Sequence, residues 1–253
     1  MNFNIFKKSK TNPKPTTSST NECIPDNLND ILRFQENSCL TLDERLNFLY
    51  PLVDENITKL PRGLSSQDKS DFVRIPKNKP YQCEYSKTSR NNHNDYDVGS
   101  IRSLNPIPVT CEIYYYEVKI LNRGERGKIA VGLTASGTNL NRQPGWDPGT
   151  FAYHGDDGCK FQEQGYNSVP YGPKFETNDV IGCGWNFKTR TCFFTRNGNF
   201  LGIAFKNMPA IKLYPTIGMH SKNESVNVNL GQNPFMYNIK MEMILNEAHA
   251  KDL

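Results

Sequence analysis

The most chemically suggestive run in this chain of 253 residues is Tyr153-His154-Gly155-Asp156-Asp157-Gly158. An imidazole beside two carboxylates has the groups for acid–base work or for holding a metal. The spacing argues against both. Asp156 and Asp157 are consecutive, and adjacent side chains in extended chain point to opposite sides. Calcium loops set their oxygen ligands at wider, regular intervals. The expected role is structural, with Asp side chains accepting from backbone donors in a glycine-bounded turn. Cys23, Cys39, Cys83, Cys111, Cys159, Cys183 and Cys192 make no CxxC pair, so neither a zinc site nor a disulfide framework is indicated. There is no G-x-S-x-G elbow and no P-loop, and Gly124-Glu125-Arg126-Gly127 has no following helix to cradle a phosphate. The residues therefore predict a chain that is not an enzyme, with no catalytic residue, no metal and no cofactor.

Thirty Lys and Arg against 26 Asp and Glu leave a net charge of +4, too small to imply a nucleic-acid or anionic-membrane partner. No apolar run approaches the roughly 18 residues of a membrane span, and the first residues lack the apolar stretch of a signal peptide. Read as complete, the chain is expected in the cytoplasm, with the nucleus as a second compartment, and as a monomer. The sequons at Asn56 and Asn223 are read as chance.

Any functional side chain must be positioned by short β elements. Residues 1–40 are a polar tail, Lys-, Ser-, Thr-, Asn- and Pro-rich, that cannot repay its ordering entropy and is expected to be disordered. Leu42, Leu46 and Leu49 share a helical face, and Pro51 stops that helix. From residue 72 the runs become strand-like. In 112–120, alternation puts Tyr116, Val118 and Ile120 on one face and Glu117 and Lys119 on the other. Further strands are expected within 128–134, 179–187, 190–195, 199–205, 214–217 and 226–230, with 135–150 as a loop. Asn197-Gly198 between two such runs signals a hairpin whose turn needs positive φ at both residues. Residues 235–248 carry a helical pattern. Many short strands without alternating helices predict an all-β fold.

Several of these segments also carry a resemblance. Tyr115-Tyr116-Glu117-Val118-Lys119-Ile120, Asn139 to Asp147, Tyr153 to Gly158, Tyr171-Gly172-Pro173, Thr191 to Gly198, Leu213 to Gly218 and Asn229 to Phe235 together resemble a SPRY (B30.2) domain. The nearest subgroup is that of Ran-binding-protein-in-the-microtubule-organising-centre proteins, which includes adaptor subunits of the glucose-induced-degradation ubiquitin ligase. Leu49-Tyr50-Pro51 and Leu60-Pro61-Arg62 fit the same subgroup, although Gly63-Leu64 stands where it usually has a Trp. The resemblance spans roughly 45–238. With Leu253 as its end, the chain is expected to lack the LisH, CTLH and CRA helical modules of that subgroup.

The resemblance implies a bent antiparallel two-sheet β-sandwich of jelly-roll type with short flanking helices. It divides the chain into the tail 1–40, a SPRY domain with its N-terminal extension at 41–238, and a helical tail at 239–253. It also implies a non-catalytic module that binds short peptide segments of partner proteins through end loops, with presentation of clients to a ubiquitin ligase, and contact with its subunits, as one use. A lectin-like carbohydrate-binding sandwich remains the alternative. Three rims are implied for the groove. The first is the loop from Arg102 to Pro108, with Arg102, Asn105 and Pro106. The second carries Trp146 and Asp147, where Trp146 could equally close the core under its loop. The third is His220 and Ser221, where a solvated loop tip is the plainer reading.

Overall fold

The computed structural model describes residues 40–86, 97–163 and 167–243. Residues 1–39 of the expected tail, residues 87–96, which include most of a polar run expected to be a loop at 86–95, and the C-terminal tail from 244 lie outside the described residues. The chain enters through α1 (Leu42–Leu49). The Thr41 hydroxyl accepts from the Glu44 N–H while the Glu44 carboxylate accepts from the Thr41 N–H, a reciprocal cap that satisfies two donors at the helix start.

Fourteen strands among the described residues, numbered in chain order, form two antiparallel sheets. The first runs β1 (Leu64–Lys69), β4 (Gly99–Ser103), β13 (Leu213–Met219), β6 (Ala130–Ala135), β7 (Thr150–His154), β8 (Cys159–Gln162) and β9 (Val169–Pro170). The second runs β12 (Asn199–Phe205), β11 (Thr191–Arg196), β10 (Val180–Asn186), β5 (Ile113–Arg123), β14 (Glu224–Asn229), β3 (Gln82–Tyr85) and β2 (Val73–Arg74). The all-β sandwich expected from the sequence is therefore present, and of the helical pattern at 235–248, residues 239–243 are helical whereas 235–238 are not. The β11–β12 hairpin turns at Asn197 and Gly198 with φ of 51° and 76°, the conformation their types foretold.

The sheets face each other through alternate residues. Ile101, Val131, Leu133, Phe151, Tyr153 and Ile217 of the first meet Tyr114, Tyr116, Val118, Ile181, Trp185 and Phe194 of the second, all buried. Tyr116 also donates its hydroxyl across the core to the Gly132 carbonyl at 2.6 Å, so a polar tip reaches a partner without leaving the apolar layer.

Both outer faces are covered as well, which the alternation in β5 did not anticipate. Lys119 is exposed as expected, but Glu117 is buried because residues 235–237 lie over it. Its carboxylate accepts from the Met236 and Tyr237 N–H groups at 3.1 Å and from the Tyr115 hydroxyl at 3.0 Å. Burial raises its pKa despite those donors. Gly182 and Gly184 opposite leave room for Tyr115 and Phe193; a Cβ at Gly182 would sit 1.9 Å from the Tyr115 hydroxyl, and one at Gly184 would sit 2.1 Å from the Phe193 ring.

The outer face of the first sheet is lined by small or polar residues, among them Ser100, Thr216, Gly218, Ala130, Thr134, Thr150 and Ala152. Segment 136–149 straps across it. Arg102 fixes the strap and corrects the first sequence-based rim. It lies on β4, not in the following loop, and is 2% exposed. Its Nε donates to Thr134 Oγ1 at 2.9 Å, Nη1 pairs with Asp68 of β1 at 2.9 Å, and Nη2 donates to the Thr138 carbonyl at 3.0 Å. Arg102→Ala is therefore expected to lower unfolding stability by about 2 kcal/mol or more, because it strands the hydroxyls and carbonyl it now satisfies. Chemical denaturation checks this. Arg102→Lys should recover only part of the loss, since a point-charge ammonium cannot reproduce the planar fork.

Candidate functional site

The strap leaves the end of β6, passes Arg102 at Thr138, and reaches the far side of β4. There the Leu140 carbonyl accepts from the Ser100 N–H at 2.7 Å, and the Arg142 carbonyl accepts from the Ser100 hydroxyl at 2.9 Å. It then crosses the sheet. Gln143 Nε2 donates to the Lys128 carbonyl at 2.9 Å, and the Pro144 carbonyl lies 2.8 Å from His154 Nε2. Gly145, with φ of 94°, packs against Phe161 where a Cβ would clash at 2.5 Å. Asp147 returns the chain to β7, its N–H donating to Thr150 Oγ1 at 3.2 Å.

His154 is thus a floor residue of the strap. Its ring stacks on Phe161 at 4.1 Å and lies 6.4 Å from Trp146, and its burial lowers its pKa. Asp157 Oδ1 accepts from the Cys159 N–H at 2.8 Å, the turn-capping role expected of that pair.

Trp146 is half-buried on this floor. Arg142 lies over its ring at 5.5 Å, and Arg142 Nε pairs with Asp147 at 2.7 Å. The indole Nε1 is buried with no acceptor among the described residues. Arg142, Trp146 and Asp147 form one stack-and-pair unit, and the indole takes part both in packing and in surface.

The 219–224 turn is not a solvated tip. His220 is 2% exposed and Ser221 is fully buried. They are held by Glu224, also fully buried, which accepts from the His220 N–H at 2.7 Å, the Ser221 N–H at 2.9 Å and the Ser221 hydroxyl. The Lys128 backbone faces this carboxylate and works to lower its pKa, as the other donors do. Lys128 therefore lies against two loops: its carbonyl holds the strap through Gln143, and its backbone faces Glu224 of the turn. Accessible side chains here include Arg126, Lys128, Arg142, Trp146 and Lys222, with Glu125, Asp147 and Asn223 among them.

The seven residues taken from sequence therefore separate. Trp146, Asp147, His220 and Ser221 come together at one end of the sandwich. Asn105 and Pro106 lie at the other, half-buried, with Asn105 Nδ2 donating to the Leu60 carbonyl at 3.2 Å and Ile107 N–H bonded to the Leu213 carbonyl. Leu213 to Met219 is six strand steps, roughly 20 Å at about 3.3 Å each, so one short groove does not include both groups. Arg102 is inside. Sequence reasoning missed Arg142, Gln143, Lys128 and Glu224. Arg142 stood in the quoted motif without a role, and nothing local marks Glu224 as buried.

Desolvation raises the Glu224 pKa to about 7, against the opposing effect of its donors. Between the usual 4.5 and 7 the folded protein holds a proton that the unfolded chain has lost. Stability from this group is therefore present at low pH and falls as pH rises through that window, by about 3 kcal/mol in all. Thermal unfolding of the wild type should lose more stability between pH 4.5 and about 7 than Glu224→Gln, in which the Ser221 hydroxyl can reverse to accept from the amide. Parallel pH profiles of the two proteins would contradict this assignment.

The SPRY domain profile matches residues 113–233. Ran-binding protein 10 of Danio rerio is 45% identical over 210 residues, which cover 83% of this chain and 33% of that protein. Ran-binding protein 9 of Mus musculus is 45% identical over 201 residues, 79% of this chain and 30% of its own. The chain spans about a third of the length of these relatives. A crystal structure of a human SPRY domain superposes with a TM-score of 0.56 at 31% identity, covering 64% of this chain and 96% of that one. The chain belongs to the SPRY-domain family of protein-interaction modules.

Proposed function

We propose that this SPRY module captures a short peptide segment of another protein on the end where the strap meets the 219–224 turn, and that it does so as the substrate-recognition part of a ubiquitin ligase. The observation that carries the first step is the Arg142–Trp146–Asp147 unit, a half-exposed indole stacked under a guanidinium and fixed by an ion pair. Aromatic and Arg side chains dominate binding energy where they are held still, because little conformational entropy remains to be lost. Here the strap's bonds to β4, Lys128, His154 and Thr150 hold them. The second step rests on the resemblance to the subgroup that includes adaptor subunits of a ubiquitin ligase.

In this reading His220, Ser221 and Glu224 support the surface from below, and Lys222 lies on it. Asn105 and Pro106 are outside it. No feature of this end favours the carbohydrate reading: Asp147 is paired with Arg142, and Glu224 is buried among its donors.

The test is selection of binders from a displayed random-peptide library, followed by titration of the best peptide against variants. Arg142→Ala and Lys222→Glu are expected to weaken binding about tenfold or more, the size of a hot-spot loss, with the circular dichroism spectrum unchanged. Asn105→Ala should bind as the wild type does. Peptides that lose affinity only with Asn105→Ala would place the groove at the opposite end and overturn the assignment. Co-purification of a ubiquitin ligase with the wild type but not with Arg142→Ala checks the second step.

A further inference from the structure

A second surface lies away from the loop ends. Strands β9 and β12 are the last of their sheets on the same side of the sandwich. Between β8–β9 and β12 the sheets part around a cleft of about 550 Å³. Edge strands are places where another chain can pair, and folded proteins usually blunt them. Here the blunting comes from across the cleft. The Tyr171 hydroxyl donates to the Gly202 carbonyl at 2.6 Å, and Lys160 Nζ donates to the Ala204 carbonyl.

Lys160 is half-buried, with its ammonium 5.7 Å from the centres of both the Tyr171 and Phe205 rings. An ammonium has three donors, and the Ala204 carbonyl takes one. No carboxylate among the described residues forms an ion pair with it. A cation that is partly desolvated, held by a carbonyl and two ring faces, attracts an anion more strongly than one in open water. Lys206, exposed, stands on the same cleft, against one rim carboxylate, Glu163. Ile203 and Val169, 40% and 48% exposed, supply apolar walls.

We propose that this cleft is a second docking site, separate from the strap end, and that it takes an extended acidic segment of a partner protein. One carboxylate of the segment sits between Lys160 and Lys206, and a neighbouring aliphatic side chain lies against Ile203 and Val169. Charge complementarity selects the acidic partner, and the mixed polar and apolar lining selects an extended segment whose side chains alternate.

The probe is a fluorescein-labelled peptide of alternating Glu and Leu, with a twin carrying Gln for Glu, read by fluorescence anisotropy at low and at raised salt. The Glu peptide is expected to bind at least tenfold tighter than the twin and to weaken with salt. Lys206→Glu, on an exposed side chain with no hydrogen bond or ion pair among the described residues, should reduce its affinity tenfold or more. Lys160→Met should do the same, and if that variant fails to fold, Lys206→Glu decides alone. Lys222→Glu, at the strap end, should leave the affinity unchanged. No binding of the Glu peptide, equal binding of the twin, or loss with Lys222→Glu but not with Lys206→Glu would each overturn the proposal. Library peptides bound at the strap end are unaffected by any of these outcomes, so the two sites fail independently.

Discussion

The Arg102 guanidinium is the point from which the candidate surface is held. It belongs to β4, accepts its orientation from Thr134 of β6, neutralises Asp68 of β1 and donates to Thr138 of the strap. Three stretches far apart in sequence, at Asp68, at Arg102 itself and at Thr134 to Thr138, are fixed by one planar group with five donors, which no other side chain could satisfy at once. Asp68 is half-exposed, with 43% of its side chain accessible, so the pair does not carry the full cost of burying two charges. Without this fork, the strap would be a long loop over a polar sheet face, and its ordering entropy would have little to offset it.

The strap converts a sheet face into a platform. Alanine, glycine, serine and threonine on that face let backbone approach backbone, so the strap can hydrogen-bond directly to Ser100, Lys128, His154 and Thr150. Trp146 then sits on the His154 ring with only part of its area left to a partner. Burial and exposure in one residue are not rival roles here. The buried part removes rotamer freedom, and this is the condition under which the exposed part can contribute to affinity.

The sandwich itself was legible in the sequence because its inner faces obey alternation. The strand around Tyr116 and the runs ending at Phe205 and Asn229 carry β-branched or aromatic residues on their inner faces, and Asn197-Gly198 has the residue types that take positive φ. Strands β1, β4, β7 and β8 escaped, for a common reason. Leu64–Lys69 and Gly99–Ser103 hold mostly small or polar residues because their outward faces are sealed by strap and ion pairs instead of facing water or core. Arg102 read as a loop cation for that reason, since a Gly-Ser-Ile-Arg-Ser run has no pattern that separates strand from turn. The candidate site was half legible. Trp146 and Asp147 stood in a motif, whereas the support from Glu224 depends on a carboxylate and the Lys128 backbone 96 positions apart, meeting only in three dimensions.

Covering both outer faces has a consequence for where partners can bind. On the second sheet, residues 235–237 lie over Tyr115 and Glu117, with Phe235 packed edge-on to Tyr115 at 5.0 Å. On the first, the strap occupies the face. Where the faces are covered in this way, the loop ends and the sheet edges are left for partners. The edge at β12 has two carbonyls already taken by Tyr171 and Lys160, so plain strand addition there would have to break bonds that the fold has made. Selectivity at such an edge must come from side chains in the cleft instead of backbone pairing, and at the loop end from the rigid Arg142–Trp146 stack. In both places the same covering that removes the faces from use also immobilises the groups that remain, and for a module of this size that rigidity does more for recognition than extra exposed area would.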